Sequence, residues 1–514
     1  MPIVAAESTY HVAGMRVLQL HRDDNVAVAM GPLTRGSFLP DGIIVRADVP
    51  MMHKVATSPI PAGALVIKYG HTIGCASRDI APGDHVHIHN CGMVDNDRVA
   101  QAGSSVTETA TVPEAERATF EGYRRSDGRT GTRNYIGILA SVNCSATVAN
   151  QIAGEIEKSG IVDAFEHVDG VVALTHDSGC GMQSKGDGFA PLQRVLNGYI
   201  AQPNFGGLLV VGLGCEVLQL SRIGQEATGT LRKLVIQDAG GTRATVERGT
   251  AIVRELLENA NQARRETVPA SQLTVGLECG GSDAYSGITA NPALGAAVDI
   301  LVSQGGTAIL SETPEIFGAE HLLIERAVSE TAADVMRERI DWWRSYAAMH
   351  GDTLDANPSP GNHAGGLTTI LEKSLGAHIK GGSTNLEDVI LYAEPATTAG
   401  LVFMDGPGFD PASVTGQVAG GANLVCFTTG RGSAFGCKPV PSIKLATNTP
   451  LFERMSDDMD INCGGIADGM ETVAACGQRV FTEMLAIASG QLSRSEALDY
   501  GRSEFVPWQT WATY

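Results

Sequence analysis

Four of the ten cysteines stand where chemistry is easiest to build. Cys144, Cys180, Cys215 and Cys279 each sit in a loop directly after a short apolar run. IGILASV leads to Asn143 and Cys144, and GVVALT leads to His176, Asp177, Ser178 and Cys180. LLVVGLG leads to Cys215 and Glu216, LTVGLE to Cys279, Gly280, Gly281, Ser282 and Asp283, and TAILS to Glu312. Thiolates suit iron, iron–sulfur clusters or zinc. The sequence has no C-x-x-C pair, so it is neither a ferredoxin nor a zinc-ribbon pattern. Widely spaced cysteines can share a metal only where their loops meet; otherwise each is a small buried apolar side chain. Cys75, Cys91, Cys426, Cys437, Cys463 and Cys476 read as structural.

Other polar groups punctuate the chain. His176 lies four residues before Cys180 and has the right intrinsic pKa for a general base, or it is a hydrogen-bonded loop histidine. His53 and Lys54 could hold a carboxylate if their segment folds over the site, or form a solvated turn. In HVHIHN (85–90), alternation puts His85, His87 and His89 on one strand face, as a metal clip or as a partly exposed strand. NPSPGNHAGGLTTILEKSLG (357–376) is a loop before a helix, with Asn357, Ser359 and Asn362 available to hydroxyls. TTGRGSAFG (428–436) carries Arg431, a bidentate partner for a carboxylate, and PSIKLATN (441–448) adds Lys444. The motifs of P-loop nucleotide hydrolysis, G-x-S-x-G serine hydrolysis and strand-linked dinucleotide binding are missing.

The elements that must position these groups follow from the pattern. Residues 15–92 read as a small β-rich unit of short strands and glycine turns, and 93–117 as a polar linker. From Tyr135, apolar runs alternate with helix-like stretches such as 250–265 and 319–328. Continuous runs predict strands covered on both faces of a parallel sheet, so the fold class is α/β. A boundary near residue 266, at RRETVPAS, splits this body into 118–265 and 266–514. Ligands of open parallel sheets bind beyond the strands' carboxyl ends, which is where the thiols and polar loops collect. The chain has 514 residues and a formal charge of −20, which argues against nucleic-acid or anionic-membrane partners. It has no apolar run long enough for a membrane span and no signal-peptide pattern at its start, so a cytoplasmic location with reduced thiols is expected.

DNVAVA (24–29), HKVA (53–56), IKYGHTIGCA (67–76) and HVHIHN resemble the amino-terminal β-clip (SAF-type) domain of the altronate/galactarate dehydratase family. GTRNYIGILASVNCSATVA, THDSGCGM, ECGGSDAYSGITANPALG, SETPEIFGAEHLL, NPSPGN, LEKSLGAHIKGG, FTTGRGS and IKLATN resemble its body, in matching order. The resemblance implies a SAF domain, a second α/β domain used for homodimerisation and a carboxy-terminal Rossmann-like domain. It also implies an iron-dependent sugar-acid hydro-lyase. A base takes the proton alpha to the carboxylate, the β-hydroxyl leaves, and a 2-keto-3-deoxy acid results; iron, as Fe2+ or a cluster, stabilises charge. On this reading Cys144, Cys180 and Cys279 ligate iron, with Cys215 a fourth candidate. His176 moves the proton, with His53 and Lys54 beside it. Lys54 and Arg431 hold the carboxylate, backed by Lys373 and Lys444. Asp283, Thr289, Asn291, Asn357, Ser359 and Asn362 hold hydroxyls. The chain departs from the galactarate-type YGCG at 176–181 and from the altronate-type GVRNE at 131–135, which leaves the sugar acid open. The alternatives are a sulfolactate sulfo-lyase-like elimination, which in that group usually uses two separate chains, and a non-catalytic sugar-acid binder.

Overall fold

A computed structural model describes residues 17–39, 42–94, 100–225 and 231–510. The five apolar runs quoted above form strands, as do GLVFMD (400–405) and LVCFTT (424–429), and every strand pair in the two large sheets of the body is parallel. The first sheet runs in the order Gly170–Leu174, Tyr135–Ala140, Phe205–Gly212, Leu231–Val235. The second has seven strands: Leu386–Ile390, Gly400–Met404, Thr307–Leu310, Thr274–Cys279, Leu424–Thr429, Ser442–Ala446 and Ile461–Asn462. Every residue of Gly400–Met404 and Leu424–Thr429 is buried, as strands covered on both faces require. The expected long helix is Thr242–Ala260, but 319–328 holds only the single turn-and-a-half Glu320–Ile324. The stretch around residue 266 is more than a break. Glu266–Pro269 pairs antiparallel with Thr119–Arg124, which pairs in turn with Thr130–Gly131, and this small sheet joins the two halves of the body.

In the seven-stranded sheet the chain order reverses between Thr274–Cys279 and Leu424–Thr429. The loops after these strands therefore part to open a crevice, the usual ligand position in such sheets. They are held by backbone: the Gly281 carbonyl accepts the N–H groups of Gly430 (3.1 Å) and Arg431 (3.0 Å). Gly281 has φ +62°, a left-handed backbone suited to glycine.

The amino-terminal unit is two small antiparallel sheets. One contains Val17–Leu18, Val26–Ala29, Lys54–Ala56 and His85–Val86; the other contains Leu65–Lys68, His71–Ala76 and Cys91–Gly92. It is pinned to the body by a buried triad. Lys54 Nζ and Lys68 Nζ each donate to a different oxygen of Glu372, both at 2.8 Å, and all three side chains are sealed from solvent. Glu372 also accepts from the Thr368 N–H (2.9 Å) and hydroxyl (2.8 Å), while Lys54 donates to the Gly366 carbonyl at 2.6 Å. Gly366, at φ +96°, lets Met52 approach so closely that a β-carbon would strike the Met52 carbonyl. Burial alone would raise the Glu372 pKa, but the two ammonium groups hold it far below its ordinary value of 4.5.

Removing one partner of a buried charge set costs about 3–5 kcal/mol, because the rest stay buried and uncompensated. Glu372→Gln should lower unfolding stability at neutral pH by about that amount in denaturant titration. A depressed carboxylate contributes stability above its unfolded pKa and loses it as pH falls. The gap between wild type and variant should therefore be full above pH 4.5 and shrink below it. An unchanged midpoint would show that the triad does not hold the seam.

Candidate active site

The structure divides the four thiols into three and one. Cys144, Cys180 and Cys215 follow three adjacent strands of the four-stranded sheet, and all three are exposed. Cys144 lies not in a loop but in the first turn of the helix Asn143–Ser159, and the segments that carry the three thiols are tied to one another. Asn143 N–H donates to the Ser178 carbonyl (2.9 Å), Val217 N–H to the Gly179 carbonyl (3.2 Å), and the Ser141 hydroxyl to Glu216 (2.9 Å). Gln237 Nε2 lies 3.6 Å from Cys215 Sγ. Cys279 belongs to the other sheet and is buried against Lys380, whose Nζ is 2.8 Å from its sulfur.

Around Cys279 gathers a charged cluster that sequence reading singled out only in part. Lys373 Nζ donates to Glu315 and to Asn357 Oδ1, both at 2.7 Å. Lys380 Nζ is 3.7 Å from Glu312. Glu312 has φ +71°, an uncommon backbone for this residue type, and its Oε1 is buried without a protein partner. Burial, with Glu278 and Glu315 nearby, raises the Glu312 pKa well above the ordinary range. Burial would raise Glu315 as well, but Lys373 and Lys380 hold it low. Burial likewise raises the Cys279 thiol, and the Lys380 ammonium opposes that shift. Ligand atoms of Cys279, Glu312 and Glu315, and of Glu278, Glu312 and Asp410, lie within 4.8 Å of one another. The Lys380 ammonium already supplies positive charge to the first of these groups.

Asp410 opens the helix Asp410–Ala419, and its carboxylate packs against the Gly280 backbone at the crevice. Burial first, then the charges of Glu278 and Glu315, push its pKa up to about 7. A carboxyl so tuned can exchange protons at neutral pH. No spacing signal marks it in FDPAS; it is found only through its surroundings. Arg431 packs against the neighbouring Gly281 and is exposed.

The remaining expected site residues are placed as follows. His176 is buried; Nε2 is 3.1 Å from the Ala140 carbonyl and Nδ1 accepts the Ser178 N–H at 3.2 Å. Burial pulls its pKa down to about 4. Lys54 is committed to Glu372. Lys444 lies on a central strand, with Nζ 3.1 Å from the Ser433 carbonyl and over the Tyr500 ring. Asp283 accepts from Ser286 N–H (2.9 Å), Thr447 Oγ1 (2.9 Å) and Asn448 Nδ2 (3.3 Å). Thr289 donates to the Thr447 carbonyl, Asn291 to the Gly376 carbonyl and Asn362 to the Ser282 carbonyl, while Ser359 caps Pro360–Ala364. These five thus brace the crevice loops. His53 meets His85, with Nδ1 to Nε2 at 3.0 Å.

The two rims are linked by the carboxy-terminal segment. The Phe505 ring packs 6.1 Å from that of His176, and Gln509 Nε2 donates to Asp177 at 2.8 Å. On its other side Val506 N–H donates to Thr415 on the Asp410 helix, and Trp508 N–H donates to the Tyr392 hydroxyl. The strand-end loops of both sheets therefore border the same segment.

Comparison with known proteins fits this architecture. Residues 15–94 match the altronate/galactarate dehydratase SAF domain. Residues 122–261 match the D-galactarate dehydratase/altronate hydrolase second domain, and 270–513 the D-galactarate/altronate dehydratase C-terminal domain. An altronate dehydratase of Bacillus subtilis is 36% identical over 94% of this chain and 97% of its own. A galactarate dehydratase (L-threo-forming) of Escherichia coli is 39% identical over 92% of this chain and 93% of its own.

The chain belongs to the altronate/galactarate dehydratase family.

The family resemblance seen in the motifs is thereby confirmed, and membership makes the chain a hydro-lyase. The beta subunit of a (2R)-sulfolactate sulfo-lyase from Chromohalobacter salexigens is also similar, at 32% identity over 76% of this chain and 98% of its own.

Exposure separates the thiols chemically. In metal-depleted native protein, Cys144, Cys180 and Cys215 should alkylate first, while Cys279, Cys426, Cys437, Cys463 and Cys476 should react only on unfolding, as read by peptide mass spectrometry. Early labelling of Cys279 would contradict the burial described.

Proposed function

We propose that this hydro-lyase removes water from a 2,3-dihydroxy carboxylate, an aldonate or aldarate of the altronate or galactarate type, to give a 2-keto-3-deoxy acid. The observation that carries the reading is the near full-length similarity to two sugar-acid dehydratases, with the SAF unit fused to the body as it is here. The sulfo-lyase relative is a separate beta subunit that matches only 76% of this chain, whereas the two sugar-acid dehydratases match 92–94% of it as single chains, which favours a sugar acid over sulfolactate.

Arg431 is suited to hold the carboxylate, because it is exposed at the crevice and has five donors in a planar fork. Asp410 is suited to remove the alpha proton, because its pKa of about 7 leaves a useful fraction of base at neutral pH. The ammonium groups of Lys373 and Lys380 supply positive potential behind the crevice, where negative charge grows as the alpha carbon is deprotonated. His176 acts as a positioning residue: its ring fixes the Cys180 loop through two backbone bonds.

The iron that the family resemblance implies fits the donor chemistry of Cys144, Cys180 and Cys215, three soft ligands on tied segments. When bound, such iron supplies Lewis acidity toward the leaving hydroxyl. Cys279 stands outside that set. The resemblance also supplies the expectation of a homodimer joined through residues 118–265.

Anaerobic protein supplied with Fe(II) should convert one member of an aldonate and aldarate panel to a 2-keto-3-deoxy acid. Sulfite release from sulfolactate would replace this reading with the sulfo-lyase one, and no keto product from any acid would favour a binder. Asp410→Asn should lower kcat by about 10²- to 10⁴-fold. It should also remove a limb in which the wild-type rate rises with pH around 7; retention of that limb would move the base elsewhere.

A further inference from the structure

His53, His85 and His87 form a second group of potential ligands, on the amino-terminal unit and apart from both the thiols and the carboxylate cluster. Their assembly follows from strand register. Val55 pairs with His85 and Lys54 with Val86 across an antiparallel ladder. His53 and His87 lie just outside this ladder, at the end where Lys54 meets Val86; the strand stops at Val86, so the expected strand face through His89 is cut short by a turn over 87–90. Ring centroids are 5.1 Å apart for His53 and His85, 4.6 Å for His53 and His87, and 5.5 Å for His85 and His87.

The donor atoms meet the demands of a single ion. One ring nitrogen from each residue lies within 4.8 Å of the others. His53 Nδ1 and His85 Nε2 are 3.0 Å apart. Two nitrogens bound to one metal at about 2.1 Å lie about 3.0 Å apart when they subtend a right angle. The outer nitrogen of His53, Nε2, is 3.3 Å from the Ala364 carbonyl. That is the backbone contact which commonly fixes the orientation of a metal-binding imidazole. Nδ1 of His87 is buried and has no protein partner, an uncommon state for a buried polar atom.

The group also faces the body. Ala364 belongs to the helix Pro360–Ala364, whose Asn362 braces the Ser282 carbonyl of the crevice loop at 2.8 Å. His363, on the same helix, has its ring 6.2 Å from that of His87.

We propose that His53, His85 and His87 bind one first-row divalent transition metal ion, of the imidazole-preferring kind such as Fe(II), Co(II) or Zn(II), at the seam between the amino-terminal unit and the crevice. The site is independent of the iron expected at the thiols and stands whichever acid the enzyme dehydrates.

The test uses the whole chain, metal-depleted and titrated with Co(II), in wild type and in Cys144→Ser/Cys180→Ser/Cys215→Ser protein. The triple-serine protein should bind one equivalent with weak d–d absorption, and wild type should bind that equivalent together with whatever its thiols take. X-ray absorption on the cobalt should show nitrogen scattering with the outer-shell pattern of imidazole. His85→Gln and His87→Gln should weaken binding by more than the roughly 10- to 100-fold that follows loss of an outer-shell partner. His89→Ala, which alters an exposed neighbour, should leave affinity unchanged. The X-ray absorption spectrum of the triple-serine protein decides the ligands even if a histidine variant does not fold. Failure of the triple-serine protein to bind, a sulfur-to-cobalt charge-transfer band with sulfur scattering alone, or undiminished affinity in folded His85→Gln and His87→Gln would each overturn the proposal.

Discussion

A single carboxylate holds the architecture together at its most demanding point. Glu372 is buried with Lys54 and Lys68, one ammonium on each oxygen. Three charges without water are tolerable only when geometry and extra hydrogen bonds compensate their desolvation, and the Thr368 and Gly366 contacts complete that set. The two lysines come from different small sheets of the amino-terminal unit, and the glutamate from a helix of the body. The constraint therefore fixes both sheets at once and sets the histidine face above the loops of the crevice.

The same logic recurs deeper in the body. Glu278, Glu312, Glu315 and Asp410 crowd the strand ends, with Lys373 and Lys380 between them. With more carboxyls than ammonium groups, the cluster keeps some protons near neutrality: Glu312 is pushed far up and Asp410 to about 7, while Glu315 stays low beside its lysine partners. Environments that drive neighbouring acids apart assign them different roles. A helix start beside Gly280 gives Asp410 its place, and the reversal of chain order between two strands gives that place access.

Much of the fold was legible because parallel strands write a simple signature. LVCF and GLVFM are continuous apolar runs because both faces are covered, and their shortness marks them as strands rather than helices. The amino-terminal unit and the family were legible in HKVA, IKYGHTIGCA and HVHIHN. The site was legible only in part. Cys144, Cys180 and Cys215 were placed at one rim by their position after strands. Cys279 shares that position in sequence, but its strand belongs to a different sheet, and strand–loop grammar does not say which sheet a run joins. Asp410 and Glu372 carry no motif; their importance comes from what folding brings beside them. Lys54 and Lys444 looked like free cations because a sequence does not display the carboxylate or carbonyl that each meets.

Location of the bound acid is the most direct measurement of the central claim, that the crevice of the seven-stranded sheet, roofed by the SAF unit, receives the substrate. A crystal structure of the whole chain with a sugar acid, trapped by withholding iron, should place the carboxylate at Arg431 and the alpha carbon toward Asp410. Electron density for the acid at a distant surface, such as the roughly 220 Å³ hollow between Arg125 and Phe205 at the far edge of the four-stranded sheet, with the crevice empty, would contradict the account.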